Sequence, residues 1–264
     1  MSLSFCASSH VGVRRTTNQD SYCARPELGL FAVADGVGGH AAGEVASRAA
    51  LEAMEQAIGE TRGRKADDTW PFEFQPALGV DGNRLNWALH LANVRVRTEM
   101  DAGRDRKGMA TTVAAVLLEG DARGPHNPAR SVTIAHVGDS RIYRWRRGQI
   151  DRLTRDHSWV QDQVAAGLLT DREARAHPRR NLLTRAVAGT GDPAADIGWL
   201  PVAEGDRLIL CTDGLCGVIP DDQIARIAGE PFEATPGATT CDGLVQAANL
   251  AGGPDNVTVI VVRL

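Results

Sequence analysis

The 264-residue chain is poor in aromatic residues (5%) and has five cysteines. No apolar run is long enough to span a bilayer, so no membrane span is expected. Basic residues are not in excess: Lys plus Arg number 29 against 33 Asp plus Glu, for a net charge of −4. That removes the electrostatic ground for expecting nucleic acid as a partner. No repeat of fixed period is present, which excludes solenoids and propellers. The start, MSLSFCASSH, lacks the basic and long apolar stretches of a signal peptide. Cys6, Cys23, Cys211, Cys216 and Cys241 are odd in number and scattered. They suggest neither a disulfide framework nor a structural zinc site. All five are expected to be reduced thiols in a cytoplasmic protein.

The composition that remains is ordinary for a globular chain, 43% hydrophobic and 23% charged. Its length can bury a substantial core. Strand-like, β-branched runs occur at Leu28–Ala34, Thr111–Leu118, Ser131–Val137, Arg207–Thr212 and Asn256–Val262. Several are apolar at nearly every position, which predicts burial on both faces. A shorter strand is expected at Ser21–Ala24. Arg141–Trp145 and Gln149–Leu153 read as a hairpin around Gly148. Helical periodicity marks Ala42–Ile58 and Arg84–Ala102. Shorter helices are predicted at Trp159–Ala166, after the capping-box pair Thr170 and Glu173, and at Asp242–Leu250. The stretch Gly59–Asn83 reads as a long connection. Packed sheets with helices outside fit this order better than strict βαβ alternation.

The placement of aspartates carries the chemistry. Asp35 follows LGLFAVA, Asp213 follows RLILCT, Asp139 follows SVTIAHV and a glycine, and Asp255 precedes NVTVIVV. Asp20 stands before the short strand. Each alone is explained as a turn residue. As a set at the ends of core strands they can converge, and converging carboxylates repel unless protonated or neutralised by cations. Mg²⁺ or Mn²⁺ suits such oxygen ligands. Asp20, Asp35, Asp213 and Asp255 would balance two divalent ions. A pair of ions lowers the pKa of a shared water and stabilises in-line displacement at phosphorus. Arg15, five residues before Asp20, offers a planar fork for phosphoryl oxygens. His40 is the candidate proton donor to the leaving group.

Gly12-x-x-Arg15-x-x-Asn18-Gln19-Asp20 and Val33-Ala34-Asp35-Gly36-Val37-Gly38-Gly39-His40 resemble the opening motifs of the bacterial metal-dependent protein phosphatases (PPM, or type 2C). The segment Ala135 to Tyr143 (AHVGDSRIY) is similar to that family's central motif. Thr212-Asp213-Gly214-Leu215 and Asp255-Asn256-Val257-Thr258 resemble its last two. The resemblance implies an α+β fold, a four-layer α-β-β-α sandwich of two antiparallel sheets flanked by helices. It implies one domain over 1–264 with a flap at about 156–185. It further implies a serine/threonine phosphoprotein phosphatase using Mn²⁺ or Mg²⁺ at two core sites, with a possible weaker third. Asp35 would bridge both ions, the Gly36 carbonyl would bind the first, and Asp213 and Asp255 the second. Asp20 would hold ion-bound water or act as a further ligand. Asp139, with Asp213, would match the third position. Arg15 would grip phosphate and His40 would be the general acid. Water or hydroxide bridging the ions would attack directly, with no phosphoenzyme. Expected partners are phosphoserine and phosphothreonine proteins, a cognate kinase and its substrates, met by a monomer. Gln19 departs from the family's common Glu, and Cys216-Gly217 from its usual aromatic or polar pair. A non-catalytic binding module would have lost Asp35, Asp213 or Asp255, and all are present. A nuclease on the same chemistry is disfavoured by the acidic net charge.

Overall fold

The computed structural model describes residues 3–39, 42–118, 131–231 and 239–264. Eleven strands form two sheets. The first holds β1 (Ser4–His10), β11 (Val257–Arg263), β10 (Arg207–Cys211), β7 (Arg141–Arg146) and β8 (Gln149–Arg152), in that spatial order. The second runs β2 (Asp20–Arg25), β3 (Leu30–Val37), β5 (Val113–Leu117), β6 (Ser131–Val137) and β9 (Asp196–Pro201), with β4 (Ala110–Thr111) against β3. Every pairing is antiparallel.

Three apolar layers explain the pattern of the sequence. Phe31, Val33, Val116, Leu208, Leu210 and Ile260 fill the space between the sheets. Leu30, Ala32 and Ala34, on the other face of β3, pack under α1 (Ala42–Glu60) and α2 (Gly79–Asp101). The outer face of the first sheet is covered by α5 (Asp213–Cys216), α6 (Asp221–Gly229) and α7 (Thr240–Leu250). Thus β3 is buried on both faces, as its unbroken apolar run predicts. The architecture is the expected α-β-β-α sandwich.

Differences from expectation have local causes. The long connection is shorter than predicted, because α1 runs to Glu60 and α2 begins at Gly79. Asn83, taken as the end of that connection, is a buried helical residue; it accepts from Gln75 N at 2.8 Å and donates to Gln75 O at 2.7 Å. The reading of all five cysteines as reduced is overturned at Cys6 and Cys241, which form a disulfide across 235 positions with Cα atoms 6.0 Å apart. Pairing of β1 with β11 carries Cys6 under the start of α7, a proximity that spacing along the chain cannot reveal. Cys23, Cys211 and Cys216 are free and buried.

Segment 156–185 leaves the sheet edge and returns. It carries α3 (Trp159–Ala165), capped by Ser158, and α4 (Asp171–Ala176), opened by the predicted Thr170–Glu173 capping box. Its two ends are joined by Ser158 against Leu183 and by Trp159 N donating to Leu182 O at 2.8 Å.

Candidate active site

The two sheets meet at one end, and there the aspartates gather. Antiparallel register sets Asp20 of β2 directly opposite Asp35 of β3. Asp213 opens α5 just beyond β10, and Asp255 stands two residues before β11. The sheets are tied together by Thr212, whose hydroxyl donates to Asp20 Oδ2 at 2.8 Å while accepting from Thr258 N at 3.0 Å. Thr112 fixes Asp35 by accepting from its backbone N–H at 2.9 Å. Close backbone approaches demand glycine at two points. A Cβ on Gly36 would lie 2.0 Å from Gly43 O, and one on Gly214 1.8 Å from Asn256 O.

These carboxylates are buried against their own charge. Burial, and then repulsion from Asp213 and Asp255, push Asp20 up to about 7, although hydrogen bonds from Thr258 and Thr212 oppose this. Asp35 is raised well above the usual range, first by burial and then by Asp20, Asp213, Asp139 and Asp255. Asp213 is raised by burial and Asp255, and partly relieved by a hydrogen bond with Asp35 and by Arg15 and Arg141. Asp139 is pushed up to about 8 by burial and by Asp213 and Asp156. Buried oxygens Asp20 Oδ1 and Asp213 Oδ1 have no hydrogen-bond partner among the described residues. Orphaned acceptors inside a cluster of like charge fit divalent cations, which would satisfy both defects at once.

Arg15 Nη2 lies 2.8 Å from Asp255 Oδ2, with its side chain half-exposed at the rim. The loop that carries it is held by Asn256, which accepts from Gln19 N at 2.8 Å and donates to Val11 O and Thr17 O, both at 2.9 Å. Arg15, Asp139, Asp213 and Asp255 line a cleft of about 510 Å³, whose other wall is segment 156–185. Asp20, Asp35, Asp139, Asp213, Asp255 and Arg15 therefore come together as expected. His40 lies outside the described residues.

The positioning residues Thr112, Thr212 and Asn256, and the bidentate pair Arg141–Asp156 (2.9 and 2.7 Å), were not assigned roles from sequence. Thr212, Asn256 and Arg141 fall inside the motifs quoted above, while Thr112 and Asp156 carried no signal of their own.

A family model described as protein phosphatase 2C matches residues 8–240. The chain belongs to the protein phosphatase 2C family. It is 34% identical to the serine/threonine protein phosphatase PstP of Mycobacterium tuberculosis over 98% of this chain, but it spans only 44% of that relative's length. Against the protein phosphatase PhpP of Streptococcus pneumoniae it is 31% identical, covering 96% of this chain and 94% of the relative. A solved PstP catalytic domain in complex with two manganese ions superposes with a TM-score of 0.77 at 31% identity, over 99% of this chain and 97% of that one. The described fold is thus that of the 2C phosphatase family, with the aspartate cluster at the end where its two sheets meet.

One further group in this phosphatase domain has the composition of a metal site. Ligand atoms of His136, His157 and Asp196 lie within 4.8 Å of one another. Hydrogen bonding argues against ligation. His157 Nδ1 accepts from Gly138 N at 3.2 Å, which assigns the proton to Nε2, a nitrogen already flanked by Asp196 at 3.2 Å and Arg185 Nη1 at 3.3 Å. A protonated nitrogen has no lone pair for a metal. Arg185 already occupies Asp196 at 2.9 Å. The cluster is a structural hydrogen-bond network.

Proposed function

We propose that residues 1–264 act as one phosphatase domain, with a flap at about 156–185, that hydrolyses phosphoserine and phosphothreonine in proteins with Mn²⁺ or Mg²⁺. The observation that carries this reading is the mutually repelling set Asp20, Asp35 and Asp213, with two orphaned oxygens, beside half-buried Asp255 and the Arg15 guanidinium. Asp35, the Gly36 carbonyl, Asp213 and Asp255 would hold two ions, Asp20 would hold ion-bound water or add a ligand, and Asp139 with Asp213 would form a weaker third position. When bound, such ions would lower the pKa of a water and offset charge on the phosphoryl oxygens.

The chain's own side chains do the rest. Arg15 spends one nitrogen on Asp255 and turns the remainder of its fork to phosphate. His40 protonates the leaving alkoxide. No side chain serves as nucleophile: a hydrogen bond with Cys211 and complete burial push the Cys216 thiol well up. The partners are phosphoproteins, among them a kinase that this activity opposes and that kinase's substrates. The acting form is a monomer in the cytoplasm, where Cys6–Cys241 is an exception to the scarcity of disulfides. Among the described residues no helix is long and apolar enough to cross a membrane.

The test is hydrolysis of a phosphothreonine peptide and of p-nitrophenyl phosphate with Mn²⁺, then in excess chelator, with intact-mass analysis during turnover. Chelator abolishes both activities, Mn²⁺ restores them, and the enzyme mass gains no phosphate. Undiminished hydrolysis in chelator overturns the proposal.

A further inference from the structure

Most arginines near the cleft are committed. Arg15 is held by Asp255, Arg141 by Asp156, and Arg152 by Thr154 O at 2.8 Å and Gln161 at 3.2 Å. Arg175 and Arg180 are not. Both are exposed, both line the wall opposite Asp139, Asp213 and Asp255, and neither side chain has a hydrogen-bond or ion-pair partner among the described residues. Asp171 lines the same wall one turn before Arg175 without pairing to it, and Asp156 is engaged by Arg141. Two unpaired guanidiniums therefore face a cleft whose scissile phosphate already has Arg15. The cleft, at about 510 Å³, has room for a peptide segment beyond the phosphorylated residue.

We infer that Arg175 and Arg180 form a second anion subsite, which makes phosphopeptides with a further negative group near the scissile phosphoresidue the preferred substrates. This rests on the phosphatase reading above and adds the substrate class. The anion is either a second phosphoresidue or an acidic side chain, since guanidinium binds both. In an extended peptide, a group two to four residues away lies roughly 7–13 Å from the first.

The experiment compares kcat/KM of the Mn²⁺-loaded protein on three peptide sets. One has phosphothreonine in a neutral context. A second adds Glu, and a third adds a second phosphothreonine, two to four residues to either side. The expected result is at least a tenfold preference for an anionic set over the neutral set, shrinking as salt is raised. Preference for both anionic sets names charge as the ligand, and preference for the doubly phosphorylated set alone names phosphate. In Arg175→Glu/Arg180→Glu the preference falls below twofold, and Lys-flanked peptides become the better substrates. Each preference is a ratio within one protein, so differences in folded or metal-loaded fraction cancel. An active wild type without preference, or a preference that survives the double reversal, overturns the inference. Inactivity on every peptide and on p-nitrophenyl phosphate instead sinks the phosphatase reading itself.

Discussion

The cleft is built from two charged clusters held on opposite terms. At one end Asp20, Asp35 and Asp213 crowd together with their ionised forms disfavoured, and two of their oxygens meet no donor. At the root of segment 156–185 the charged groups are matched. Arg141 forks onto Asp156, reaches Tyr143 Oη at 3.0 Å, and is nearly as buried as its partner. His157 accepts from Gly138 N through Nδ1, donates its own backbone N–H to Gly138 O at 2.9 Å, and faces Asp196. Gly138 immediately precedes Asp139, so the satisfied cluster holds the chain that aims one carboxylate into the unsatisfied one. Buried polar groups are normally paired, and unpaired oxygens inside a cluster of like charge fit a bound water or cation.

Removing one charge from each cluster separates the two designs. Asp213→Asn keeps the shape and relieves repulsion with Asp255. Phosphatase activity should fall by ~10³-fold or more, on the scale of losing a key electrostatic group. Calorimetry should show weakened Mn²⁺ binding, while the melting temperature of the metal-free protein rises. A variant that melts lower without metal than the wild type would break the contrast.

Arg141→Ala should do the reverse. It strands Asp156 in a nearly buried position, and losing one partner of such a pair costs about 3–5 kcal/mol. Denaturant unfolding checks this. A loss under about 1 kcal/mol, the value of an exposed pair, would show that the flap root is solvated and no different in kind from the rim.

How much of this could be read from the chain differs between the same two regions. The core strands were legible because burial on both faces writes an apolar run; β6 matches its predicted limits, Ser131–Val137. Strands β1 and β9 were missed. Both lie at sheet edges, and β9 leaves Trp199 70% exposed and contains Gly198, so neither shows the pattern. Helix α6, after Pro220, was also missed, although Ile224, Ile227 and Ala228 share its buried face at helical spacing. The aspartates were legible because strand ends place them where turns and ligands both occur. The hydroxyls of Thr112 and Thr212 and the amide of Asn256 were not. Their partners sit in other strands or in the loop before β2, up to 245 positions away, and side-chain type alone does not say what a buried polar group touches.

The two clusters should also pull stability in opposite directions with pH. Asp20, at about 7, and Asp139, at about 8, keep protons that the unfolded chain has released, and Asp35 and Asp213 shift the same way. The metal-free fold therefore loses stability as pH rises from about 4 towards 8. His136 and His157 are lowered, chiefly by burial, so the unfolded chain takes up protons first and the fold loses stability as pH drops below about 6.5. Divalent ions act only on the first trend, because they compete with the carboxylate protons. At 100-fold excess over Kd they should add about 2.7 kcal/mol, or roughly 5–10 °C in melting temperature, at pH 8, and clearly less at pH 5.5. Thermal melts with and without Mn²⁺ at the two pH values measure this. An equal lift at both would mean that the carboxylates are ionised throughout and that the cluster holds no protons for the metal to displace.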